Sequence, residues 1–140
     1  MIRFSSQNNF SLDQSELAQK WIKEVANLHN KVIGEIDYVF CSDEFLLKIN
    51  QEYLSHDTYT DIITFDYSMA DELAGEIYIS TDRVSDNAER FGVSMNEELH
   101  RVMIHGILHL SGYGDKRKEE KQNMRDLENK ALAMRSGGLH

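Results

Sequence analysis

From residue 99 to residue 110 the chain is almost wholly apolar, with Leu99, Val102, Met103, Ile104, Ile107, Leu108 and Leu110 spread around every side of a helical wheel. A helix of that composition is buried on most of its circumference, so the rest of a small domain must be built around it. Two imidazoles interrupt the run. His105 and His109 are four apart, which on a helix leaves them about 40° from one another and one turn apart in height. Side chains so placed can grip one metal ion, as the paired histidines of H-E-x-x-H helices do. Such pairs also arise without any metal, but two imidazoles in an apolar helix need partners of some kind. His100, five residues before His105, points about 140° away from it and is expected at the surface. Gly112, Tyr113 and Gly114 break the helix and turn the chain, and Asp115 follows as a third possible ligand. Two ring nitrogens and one carboxylate leave zinc an open fourth position, which is how catalytic zinc sites are built. Gly106 stands where the H-E-x-x-H proteases keep their general base, which speaks against peptide hydrolysis by that route.

A chain of 140 residues fits a single domain, 1–140, with one core. No apolar stretch is long enough to span a membrane, the first ten residues lack the layout of a signal peptide, and the cytoplasm is the expected setting. Cys41 is the only cysteine, so neither an internal disulfide nor a Cys-rich zinc site can form. The net charge of −9 argues against a surface that grips nucleic acid everywhere, though not against a local basic patch. Lys116, Arg117, Lys118, Lys121 and Arg125 make one such cluster; mixed with Glu119, Glu120 and Asp126, they equally suit a solvated helix face carrying ion pairs. The closing residues, SGGLH, look like a frayed end.

With no proline anywhere, boundaries rest on pattern and glycine. Residues 2–4 suit a short strand. Residues 13–30 suit an amphipathic helix, with Ser11 or Asp13 as cap and Leu12, Leu17, Trp21, Val25 and Leu28 inward. Gly34 ends that segment, and residues 35–41 alternate as a strand does. Ser42 caps a helix to about residue 53, with Phe45, Leu46 and Ile49 inward, before a polar loop over 55–61. Strands are expected at 62–67 and 75–80 with an irregular connection between them. A helix follows from Thr81 or Asp82 to about Phe91, where Gly92 stops it. Ser94 with Glu97 forms a capping box opening the buried helix, and a last helix runs over 116–134. The order β-α-β-α-β-β-α-α-α implies an α+β domain, a small mixed sheet covered by helices.

HGILHLSGYGD, residues 105–115, resembles the signature H-G-x-L-H-L-x-G-Y-D-H of the YbeY family of endoribonucleases and rRNA maturation factors. INQEYLSHDTYTDIITFDY is similar to the family's Asn-x-x-Tyr, loop, Thr-(Asp/Asn) and strand segment, and AGEIYIS to its Leu-Gly-Asp-Ile strand. Met124 and Glu128 fall where the family's following helix carries Met and Glu. The resemblance implies a four-stranded sheet with helices around it and a zinc-dependent, single-strand-specific endoribonuclease. It also implies work in rRNA processing and ribosome quality control, with RNA and a ribosome or ribosomal protein as partners. Two departures stand out. Asp115 replaces the last of the family's three His ligands; a carboxylate is a legitimate zinc ligand, but it lowers the site's charge by one and suits iron or manganese as well. Leu54 stands where the family usually has Arg, and His56, two residues on, is a weak substitute for phosphate contact. No base is identifiable from the residues; Glu76, Asp61 and Glu119 are candidates, each equally suited to a cap, an ion pair or the orienting of a ligand His. The rival reading is a ribosome-binding module without turnover, its metal structural or vestigial. A more remote one is another metal hydrolase acting on a small substrate.

Overall fold

The computed structural model describes residues 1–140 as nine elements: β1 Ile2–Ser6, α1 Ser15–Leu28, β2 Val32–Cys41, α2 Asp43–Leu54, β3 Ile62–Asp66, β4 Glu72–Ser80, α3 Thr81–Phe91, α4 Met95–Leu110 and α5 Lys118–Ala133. The expected order holds throughout. One mixed sheet runs β1-β2-β4-β3, with β1, β2 and β4 parallel and β3 antiparallel to β4 at the edge.

Alternation along the strands sorts the side chains to two faces. Ile36, Tyr38 and Phe40 of β2 and Leu73, Ile77 and Ile79 of β4 point inward to the main core, shared with Trp21, Ile22 and Val25 of α1 and with most of α4. The other face carries a small core in which Leu46 and Ile49 of α2 meet Cys41 and Ile63. The register Tyr38↔Ile77 and Thr64↔Ile77 keeps β2, β4 and β3 in phase, so Thr64 and Ile62 share the inner face.

α4 is as enclosed as its composition demands, lying across the inner face with α1, α3 and α5 around it. The Tyr38 hydroxyl donates to the Met103 carbonyl at 2.9 Å. Gly106 is where helix and sheet come closest: a Cβ there would sit 3.1 Å from two side-chain carbons of Ile77 and 3.2 Å from Ile62. A glutamate at that position would be driven into the sheet, so the protease pattern is sterically closed to this helix.

Several expectations are corrected. His100 is buried, not at the surface. It does point away from His105, but that side of α4 is covered by Trp21, 5.4 Å ring to ring, and by Arg135, whose Nη1 donates to His100 Nδ1 at 2.9 Å. The last residues are docked rather than frayed, because Leu139 is buried and the Gly138 and His140 carbonyls accept from Gln14 and Asn96. α1 begins at Ser15 behind a left-handed Gln14, with no side-chain cap from Ser11 or Asp13, and Leu28 at its end is exposed. Gly34 ends no helix. It lies inside β2 at an irregularity in the pairing with β4, both strands beginning about three residues earlier than their alternation suggests. Of the capping box at α4, the half in which Ser94 Oγ accepts from the Glu97 N–H is present.

Candidate metal centre

α5 packs beside α4 and brings Glu128 up to His105. Residues 98, 101, 105 and 109 recur at helical spacing along the one stripe of α4 that the apolar core does not claim. Glu98, Arg101, His105 and His109 therefore line one wall of a cleft of about 400 Å³, with Thr60, Asp61 and Thr64 opposite. Gly112, at φ 104, turns the chain as few other residues could, and brings Asp115 back toward the helix.

His105 Nε2 stands 3.2 Å from Asp115 Oδ2. Its other nitrogen, Nδ1, is 2.7 Å from Glu128 Oε2, and the second oxygen of Glu128 accepts from Arg101 at 3.1 Å. Arg101 also donates to Asn129. A carboxylate at Nδ1 holds the ring in the tautomer that leaves the Nε2 lone pair facing the cleft. His109 is set the same way by another acceptor, its Nδ1 lying 3.2 Å from the Tyr113 carbonyl. Tyr113 is anchored in turn, with its hydroxyl 3.0 Å from His29 Nδ1. Burial opposes charge on the His105 ring, but the hydrogen bond and charge of Glu128, then the charges of Asp115 and Asp61, outweigh it and raise its pKa.

The donor chemistry suits a divalent ion: two neutral imidazole nitrogens and a carboxylate oxygen. Ligands at about 2.0–2.2 Å on one tetrahedral ion lie about 3.4 Å from each other, close to the 3.2 Å between His105 Nε2 and Asp115 Oδ2. Convergence is incomplete. The rings of His105 and His109 lie nearly parallel with centroids 6.2 Å apart, and no three His, Cys, Asp or Glu side chains form a finished cage. The expected trio is thus a contacting pair with the third donor one turn away at the exposed end of the helix.

The other sequence candidates separate clearly. Asp61 is in the cleft, its pKa raised chiefly by burial. Glu76 is not: it points from the outer face of β4, across the sheet from His105, and accepts from Tyr67. Glu119 is on the solvent side of α5, and His56 is on the exposed loop after α2, outside the cleft, as is Leu54. Sequence reasoning passed over Glu98, Arg101 and the anchoring role of Glu128. Glu98 is 5% exposed and its side chain makes no hydrogen bond, and its carboxyl pKa is raised, first by burial and then by Asp61. The available signal was the charge itself: an acid and an arginine inside an otherwise apolar helix, in phase with two histidines.

Comparison with known proteins bears on the family. The model of the family described as Endoribonuclease YbeY matches residues 2–135. A curated protein named Endoribonuclease YbeY from Bacteroides thetaiotaomicron is 57% identical over 116 residues, covering 83% of this chain and 85% of the relative. Its counterpart from Christiangramia forsetii is 49% identical over 133 residues, covering 95% and 93%. The solution structure of TM1509 from Thermotoga maritima superposes with a TM-score of 0.68 at 27% identity, covering 96% of this chain and 88% of that one. On sequence and fold alike, this chain belongs to the Endoribonuclease YbeY family.

Proposed function

We propose that residues 1–140 form one metal-dependent endoribonuclease domain that cuts single-stranded regions of rRNA during ribosome maturation, with His105, His109 and Asp115 as the metal ligands. The observation that carries this reading is the contact of His105 Nε2 with Asp115 Oδ2, made while Nδ1 of both histidines is committed elsewhere. Zinc fits this donor set, and so do iron and manganese. When bound, the ion supplies positive charge to the phosphorus centre as negative charge builds there. Glu128 holds His105 in its working tautomer, and Arg101 fixes Glu128. Asp61 across the cleft and Glu98 further back along α4, both with carboxyls shifted toward the protonated form, are the groups able to hold or deliver a proton. No helix is long and apolar enough to cross a membrane, in keeping with work on ribosomes in the cytoplasm.

The test couples metal content to cleavage. Replacing His105 and His109 together with Ala should remove bound metal, by elemental analysis, and cleavage of a single-stranded oligoribonucleotide. Undiminished cleavage by rigorously metal-free protein would reject the reading. Association with ribosomal RNA that survives Asp115→Ala, with no turnover by the unaltered protein, would favour the non-enzymatic module instead.

A further inference from the structure

Beside the metal-centre cleft lies a second, smaller hollow of about 230 Å³, walled by His105 and Asp115 on one side and by Lys121, Met124, Arg125 and Glu128 of α5 on the other. Arg125 belongs to both hollows. Five basic residues cluster in 116–125, and mutual ion pairing would have consumed them if they were an ordinary solvated face. It does not. Only Arg117 is paired, with Glu120 at 3.5 Å, and Glu120 is further held by the Arg117 backbone N–H. Three of the neighbouring acids are occupied, since Asp126 accepts from Gln122, Glu128 accepts from Arg101 and Asp115 faces His105, while Glu119 on the solvent side makes no ion pair. Lys121 and Arg125 make no ion pair or side-chain hydrogen bond. A protein with a formal charge of −9 thus keeps two cations without an ion pair beside His105, Arg125 on the cleft and Lys121 on the smaller hollow.

We infer that Lys121 and Arg125 form a phosphate clamp that holds the RNA strand next to the bond being cut. The inference rests on the nuclease reading and deepens it. The two side chains are one helical turn apart, about 6 Å along the axis, a rise comparable to the step between successive phosphates of an extended strand. Both are exposed and on a mobile stem, so they can follow a single strand without reading its bases. The cations that line the hollow with His105 and Asp115 are Lys121 and Arg125, both from α5.

The experiment is steady-state cleavage of a single-stranded oligoribonucleotide by the metal-loaded protein across a range of salt concentrations. Lys121→Gln with Arg125→Gln should raise KM roughly tenfold with little change in kcat, and should flatten the dependence of log(kcat/KM) on log[salt] by about 1.4, from about 0.7 for each lost contact to a single strand. Arg125→Lys alone keeps the charge and should keep the slope. Lys23→Gln with Lys48→Gln, which removes two charges from α1 and α2 away from the site, is the control for net charge. If the α5 double variant matches this control in KM and slope while the unaltered protein cleaves normally, the clamp is wrong and the nuclease reading stands. If the unaltered metal-loaded protein neither binds nor cleaves RNA, both fall together.

Discussion

Glu128 shows how far one residue can carry a site. Its two oxygens serve different masters, Arg101 on one side and His105 on the other, and it is buried while doing so. Glu128→Gln preserves shape but removes the charge that faces Arg101 and leaves one carbonyl oxygen where Arg101 and His105 Nδ1 each had an acceptor. Partners of this kind typically tune metal affinity by about 10–100-fold, so metal retention in a competition with a chelator should weaken by that order. The same change leaves Arg101 facing a neutral amide in a half-buried position, and thermal stability should drop by about 1–3 kcal/mol. Unchanged metal retention would mean that His105 keeps its tautomer without help. In the sequence, Glu128 was visible only as a match to a family pattern; nothing in its own neighbourhood says that a residue 23 positions on will meet His105. His105 and His109, by contrast, declare themselves through their spacing in an apolar run. What could not be read was the 6.2 Å stand-off between their rings, because it depends on how the turn at Gly112 seats Tyr113.

At the level of elements, α4 was legible and its surroundings were not. Its apolar circumference announces burial, yet burial by what differs from side to side: sheet beneath Gly106, α1 against His100, cleft beyond His105. Gly106 makes the distinction measurable. Replacing a mid-helix glycine with alanine ordinarily gains about 1 kcal/mol of helix propensity. Here the new methyl would press on Ile77 and Ile62 at 3.1–3.2 Å in a closed core, where overpacking costs about 1–3 kcal/mol. The second effect should win, so Gly106→Ala should lower Tm by a few degrees in a thermal melt, the reverse of the usual outcome. A higher Tm would mean that α4 can lift from the sheet without cost. Glu76 teaches the companion lesson for strands. A strand pattern tells which residues share a face, but not which face meets the helix that carries the histidines, and a shift of one position separates Ile77 in the core from Glu76 on the far side.

For the molecule as a whole, the response to acid should be set in good part by His100, where α1, α4 and the segment after α5 meet. Arg135 donates to its Nδ1, so the ring is held neutral with its proton on Nε2, and burial first, then the Arg135 charge, depresses its pKa to about 4 from 6.5. A histidine depressed in the folded state costs nothing above its unfolded pKa, where both states are neutral. As pH falls below about 6.5 the unfolded chain takes up a proton that the folded protein refuses, and stability declines until the folded ring titrates near 4. At about 1.4 kcal/mol per tenfold change in proton affinity, the loss should reach about 2 kcal/mol by pH 5 and ~3 kcal/mol in full. Asp61 and Glu98, with carboxyls raised by burial, work in the opposite direction over the lower part of this range, so the measurement must be a difference. Urea unfolding of the protein and of His100→Gln, at pH 7.5 and at pH 5, isolates the term, since the carboxyls are common to both. The protein should lose about 2 kcal/mol more than the variant over that interval. Equal losses would mean that Arg135 swings away and lets the ring charge in place, and that the packing between α1 and α4 is looser than the 5.4 Å seating of His100 against Trp21 implies.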